Sequence, residues 1–140
     1  MGVTISATNS SYVFEMGYGG FFNLRKNIAM ALDKKFGENY ADLSSCLTEN
    51  QFADNDKKAD RIIQKNHLKD DYEDVIAFLY ASDGGGSISY KTCQSIFELI
   101  KNIDYGNKGF QYANRSSNDY EAFKKFLKEC YSKRRKMKWY

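Results

Sequence analysis

Apolar residues recur along this chain mostly at helical spacing, after a short stretch of alternation at the N-terminus. Val3 and Ile5 alternate with Thr4 and Ser6, and Tyr12, Phe14 and Met16 with Val13 and Glu15, as in two half-buried strands. The Asn9-Ser10 step between them predicts a hairpin turn. Beyond Gly17-Tyr18-Gly19-Gly20, the residues Phe21, Leu24, Ile28, Ala31, Leu32 and Phe36 keep a helical period, which predicts a helix over 21–36 stopped by Gly37.

The middle of the chain is less regular. Tyr40, Leu43 and Leu47 permit a short helix over 38–46, Thr48–Ala53 reads as a connector, and Asp56–Leu68 reads as a surface helix with Ala59, Ile62, Ile63 and His67 on one stripe. Asp70 followed by Glu73 resembles an N-terminal cap for a helix carrying Tyr72, Val75, Ile76, Leu79 and Tyr80, ended by Asp83-Gly84-Gly85-Gly86. Ser89 is placed to cap a helix from Tyr90 to Ile103. Residues 104–117 read as a long loop with one short extended stretch around Phe110–Tyr112. Asn118 and Glu121 then predict a cap for a last helix with Tyr120, Phe123, Phe126, Leu127, Cys130 and Tyr131 on its core face. The sum is a single α+β domain over residues 1–140, mostly helical, with about five helices, a small N-terminal hairpin or sheet and a basic tail at 133–140.

Composition narrows the class. A hydrophobic share of 42%, with eleven Tyr and ten Phe, is too apolar for a disordered segment. No apolar run approaches the roughly 20 residues a membrane helix needs. The first residues lack the cationic start and apolar core of an export signal, so the expected location is the cytoplasm, without membrane contact. Gly2 and Ser6 fit the loose myristoylation pattern, but the strand alternation accounts for the same residues. Cys46, Cys93 and Cys130 read as free thiols, and with one histidine, His67, no zinc-binding pattern exists. The Asp83–Ile88 turn has the glycine and isoleucine of a calcium loop but lacks the carboxylates, so no metal is expected.

Three stretches could carry chemistry. Tyr18, Gly19 and Gly20 at a strand-to-helix transition, with Arg25 and Lys26 one turn on, could receive an anion at a helix start. The stretch lacks the last glycine of a dinucleotide fingerprint and the Gly-Lys-Ser/Thr of a phosphate loop, so no cofactor is expected, and the plainer reading is a tight turn. The loop Tyr105–Arg115 mixes rings, amides and cations. Should the two loops converge, Tyr18, Gly19, Gly20, Arg25, Lys108 and Arg115 would form a site for an anionic, base-containing ligand. The third stretch is the tail. Lys133, Arg134, Arg135, Lys136 and Lys138 stand without an acid among residues 131–140, whereas the rest of the chain holds 16 cations against 18 acids. Such a cluster suits nucleic acid or an acidic protein, with Trp139 and Tyr140 available for stacking; the plainer reading is a solvated helix terminus. No catalytic residue is assigned: His67 has no cysteine near it in sequence, and Glu15 is the one acid worth inspecting for burial.

Met1-Gly2-Val3-Thr4-Ile5-Ser6, Met16-Gly17-Tyr18-Gly19-Gly20-Phe21 with Leu24-Arg25, and Ser82-Asp83 followed by Gly86-Ser87-Ile88 together resemble a group of small uncharacterised proteins of Gram-positive bacteria and their phages. The resemblance implies a phage or mobile-element accessory that works by binding, as an anti-defence factor against a host protein or by sequestering a nucleotide signal. Two alternatives stay open. One is a nucleic-acid binder using the basic C-terminus. The other is a small hydrolase or transferase.

Overall fold

The computed structural model describes residues 2–106 and 119–140. They form an α+β fold in which helices cover one face of a four-stranded antiparallel sheet. Strands β1 (Val3–Ala7) and β2 (Phe14–Met16) pair as the alternation predicts, with Val3 opposite Met16 and Ile5 opposite Phe14. Asn9, at φ 59°, makes the turn between them.

The sheet is larger than an N-terminal hairpin, and the reason lies in the tail. Residues Met137–Trp139 form β4, inserted between β1 and the short strand β3 (Gly86–Ile88), so the spatial order is β2-β1-β4-β3. Met137 and Trp139 point into the core while Lys138 points out, a period of two that follows from the pleat. The expectation of a solvated helix terminus is therefore corrected for residues 137–139, which are a strand, while Lys136 and Lys138 stay exposed. The chain leaves its last helix through Arg134, at φ 53°, and the Arg135 amide donates back to the Cys130 carbonyl at 2.8 Å. Arg135 itself bonds Glu129 at 2.9 Å and the Asn9 carbonyl at 3.1 Å, and Tyr140 exchanges two backbone hydrogen bonds with Thr4.

Six α-helices are found among the described residues rather than about five, because the stretch expected as one helix over 21–36 is two. Helix α1 runs Tyr18–Leu32 and α2 Lys34–Ala41. Between them Asp33 is extended and its carboxylate accepts the Phe36 amide at 2.9 Å, a cap that restarts the helix in a new direction. Gly37 is consequently inside α2, not at a helix stop. A Cβ there would stand 2.7 Å from the Met30 backbone nitrogen and closer still to Met30 Cα and Sδ, so the glycine is what lets α1 and α2 touch.

A 3-10 turn (Asp42–Ser45) leads to α3 (Glu49–Lys65), which takes in residues expected as connector. Thr48 and Gln51 form a reciprocal capping box that fixes its start. Asn39 and Asn55, both buried, each donate a side-chain amide to the other's backbone carbonyl and tie α2 to α3. His67 does not lie on the helical stripe. It is exposed and left-handed at φ 52°, the corner between α3 and α4 (Leu68–Tyr80), and α4 is kinked at Tyr72. Helix α5 (Tyr90–Ile100) is capped by Ser89 as expected. Helix α6 (Tyr120–Ser132) is capped by Asp119 at 2.6 Å. The expected cap at Asn118 and the extended stretch at 110–112 lie outside the described residues.

One core joins these layers. Phe14 meets Phe123 and Phe126 edge-on at 5.7 and 5.4 Å, and Trp139 meets Phe78 at 5.2 Å. No helix among the described residues is long and apolar enough to cross a membrane.

Candidate functional site

A groove of about 700 Å³ lies between α1, the α2 end with its 3-10 turn, the start of α3 and the end of α4. Its rings come from four helices: Tyr18 and Phe22 from the start of α1, Tyr40 from the end of α2, Phe52 from the first turn of α3 and Tyr80 from the end of α4. Five rings line it: Tyr18, Phe22, Tyr40, Phe52 and Tyr80. Phe22 stacks on Tyr40 at 5.5 Å, and Tyr80 meets Tyr40 edge-on at 5.5 Å, so these three make a fixed inner wall. Tyr18 and Phe52 are 45% exposed each and stand at the rim. The polar lining is Asn23, Arg25, Lys26, Ser44 and Asp83.

Arg25 is the unusual member, a cation only 4% exposed. Three rings, Phe21, Phe78 and Trp139, lie 4.1, 5.1 and 5.9 Å from its guanidinium carbon. Its Nη1 donates to the Ala81 carbonyl at 2.9 Å and to Asp83 Oδ1 at 3.0 Å. Ala81 ends α4, so the cation sits on the negative end of a helix. Burial lowers the Arg25 pKa, against which Tyr40 and Asp83 act to raise it. The guanidinium stays charged at neutral pH. The Tyr40 hydroxyl donates a hydrogen bond to the Leu79 carbonyl at 2.7 Å, and burial raises its pKa. The Nε and Nη2 groups of Arg25 are buried and make no hydrogen bond of good geometry.

The sequence candidates divide. Tyr18, Gly19 and Arg25 line the groove; Gly20 is buried in the first turn of α1 and does not. Gly17 to Gly20 are thus a cap and a helix start, not a loop. Tyr105, at the start of the second stretch, stacks on Tyr120 at 4.0 Å and is not among the groove-lining residues. Lys108 and Arg115 lie outside the described residues. Asn23 and Phe52 carry no sequence signal, and Tyr80 and Asp83 read only as part of a helix face and of a turn, because only the α1–α3–α4 packing brings the four together.

Of the tail cations, Arg135 is tied to Glu129, Lys133 stands 3.9 Å from Glu129, and Arg134 lies over the Tyr90 ring at 5.8 Å. Lys136 and Lys138 are exposed. A second basic surface, not read from the sequence, is an open concavity of about 480 Å³ with Lys34, Lys35, Arg61 and Lys65 around Asp33. Glu15 is exposed on the outer face of the sheet, far from burial. Cys93 and Cys130 are buried together between α5 and α6, where their mutual hydrogen bond and burial push the Cys93 thiol up. Among the described residues no group of three or more His, Cys, Asp or Glu side chains could hold a metal ion. No protein-family model, curated protein or solved structure matches the chain.

Proposed function

We propose that this chain is a non-catalytic binding protein whose α1–α3–α4 groove takes a planar, ring-bearing ligand of nucleotide type. The observation that carries the reading is the ring-lined groove itself. Its volume of about 700 Å³ lies in the range of small-ligand sites, and it combines aromatic walls with a few polar groups. Tyr18 and Phe52 at the rim supply faces on which a base can stack; Asn23 and Ser44 offer donor and acceptor groups; Lys26 offers a positive charge. Sequestration of a nucleotide signal, the role implied by the resemblance to phage-type small proteins, needs this kind of site and no reacting group.

The test is calorimetric titration of the full chain with a panel of nucleosides and nucleotides, repeated on Tyr18→Ala and Phe52→Ala. Loss of a stacking face costs about 1–3 kcal/mol per base, so each variant is expected to weaken binding roughly 5- to 150-fold while leaving the fold intact. A panel without a single binder, or binding that ignores both substitutions, overturns the reading.

A further inference from the structure

The groove floor holds a hydrogen-bonding asymmetry that the ring-binding reading does not use. Both acceptors of Arg25, the Ala81 carbonyl and the Asp83 carboxylate, fall on one nitrogen, Nη1. The Nε and Nη2 groups make no hydrogen bond of good geometry in a side chain that is only 4% exposed, although the Tyr40 hydroxyl lies within reach of the guanidinium. Nη1 and Nη2 lie in one plane as a fork that grips a phosphate or carboxylate with two parallel bonds, and here only Nη1 is engaged. An unpartnered buried donor costs about 1–3 kcal/mol, and more when charged, a cost that an arriving anion would remove.

The surroundings say from which side an anion would come. Phe21, Phe78 and Trp139 occupy the apolar side of the guanidinium. Its polar neighbours, Ala81, Asp83 and Tyr40, all line the groove. Of these, Tyr40 is buried and bonded to Leu79, whereas the Asp83 side chain is 53% exposed and begins the turn Asp83-Gly84-Gly85-Gly86. Asp83 is therefore the group that can leave.

We propose that Asp83 is a resident stand-in for the anionic end of the ligand, and that a phosphate entering the groove takes its place on Nη1 and reaches the neighbouring Nη2 with a second oxygen, with Lys26 closing over it from the same helix. The inference rests on the proposed ring-binding groove and adds what the groove reads besides the ring. It requires no covalent step, only the exchange of one anion for another on a fixed cation. Because the floor cation is already neutralised by Asp83, a neutral ligand gains nothing from it; a phosphate gains only what it can take from the carboxylate.

The experiment titrates wild type, Asp83→Asn and Arg25→Lys with adenosine, adenosine 5′-monophosphate and inorganic phosphate. Removing the competing charge by Asp83→Asn is expected to raise the preference for the monophosphate over adenosine by about tenfold. Arg25→Lys keeps the charge but loses the fork, and is expected to abolish the preference for monophosphate over nucleoside. Should Arg25→Lys fail to fold, as circular dichroism would show, the Asp83→Asn ratio decides alone. Adenosine binding with an equal ratio in wild type and Asp83→Asn overturns the exchange and leaves the ring-binding groove standing. Failure of both adenosine and its monophosphate to bind overturns the groove reading and this inference with it. Inorganic phosphate bound without any nucleoside preference would likewise overturn it, since the phosphate would then be held apart from the ring site.

Discussion

At the scale of single residues, contacts rather than propensities decide what a side chain does. Gly37 has the composition of a helix stop, yet it sits inside α2 because α1 crosses it at Met30. Alanine would gain up to about 1 kcal/mol of helix propensity at this position, but its Cβ would force the two helices apart at a cost of about 1–3 kcal/mol. Gly37→Ala is therefore expected to lower stability by about 1–2 kcal/mol, read as a lower urea midpoint; an unchanged or raised midpoint would show that the α1–α2 contact gives way freely. Gly86 has a matching role on the sheet, where a Cβ would stand 2.8 Å from Cη2 of Trp139, the ring that backs Arg25. Arg25 was legible as a cation near a glycine-rich helix start. That it is buried was not, because Phe78, Ala81, Asp83 and Trp139 come from sequence positions 53 to 114 residues away, counted along the chain.

The element that changes the picture most is β4. A run of five cations in ten residues reads as a solvated terminus, and the two apolar residues within it look incidental. They are the reason the run is a strand: Met137 and Trp139 alternate with Lys136 and Lys138, and a slot between β1 and β3 accepts that alternation. Fully burying two such side chains is worth about 3–6 kcal/mol, a large part of the roughly 5–15 kcal/mol by which a domain is stable. Deletion of residues 133–140 is accordingly expected to unfold the chain, seen as loss of cooperative melting by circular dichroism. A deletion that leaves a folded domain would contradict the central placement of β4. Charge is better tested by Lys136→Ala with Lys138→Ala, which leaves the inward residues in place. If the basic terminus binds nucleic acid, this pair should weaken binding and flatten its salt dependence without altering the melting temperature.

For the whole molecule, the burial of Tyr40 and Tyr120 and the partial burial of Tyr80 and Tyr105 set an alkaline limit. Burial raises Tyr40 and Tyr120, and pushes Tyr80 and Tyr105 up to about 12, Tyr80 further raised by Asp56 and Asp60 and Tyr105 by Tyr120. A phenol whose folded value exceeds its free value of 10.0 contributes stability that is whole below pH 10 and is lost as pH rises through the folded value. The melting temperature is therefore expected to hold up to about pH 10 and fall between 10 and 12, with tyrosinate absorbance rising together with unfolding. Tyrosinate forming fully near pH 10 in a still-folded chain would contradict the burial of these rings. Tyr40 and Tyr80 form the inner groove wall, so ligand affinity should decline over the same interval.

The sequence by itself determined the α+β class, the β1–β2 hairpin, and the core faces of α1, α4, α5 and α6, because periodicity of two or 3.6 is a local property written into consecutive residues. It also marked Tyr18, Gly19 and Arg25, since glycine and cations near a helix start are local signals as well. Only the tertiary structure decided that the chain's last residues are a central strand, that Asp33 breaks one apolar period into two helices, and that Tyr18, Phe52, Tyr80 and Asp83 face one another across a groove. Those outcomes depend on which distant surfaces fit together, and a linear pattern fixes which side of an element is buried without naming what it is buried against.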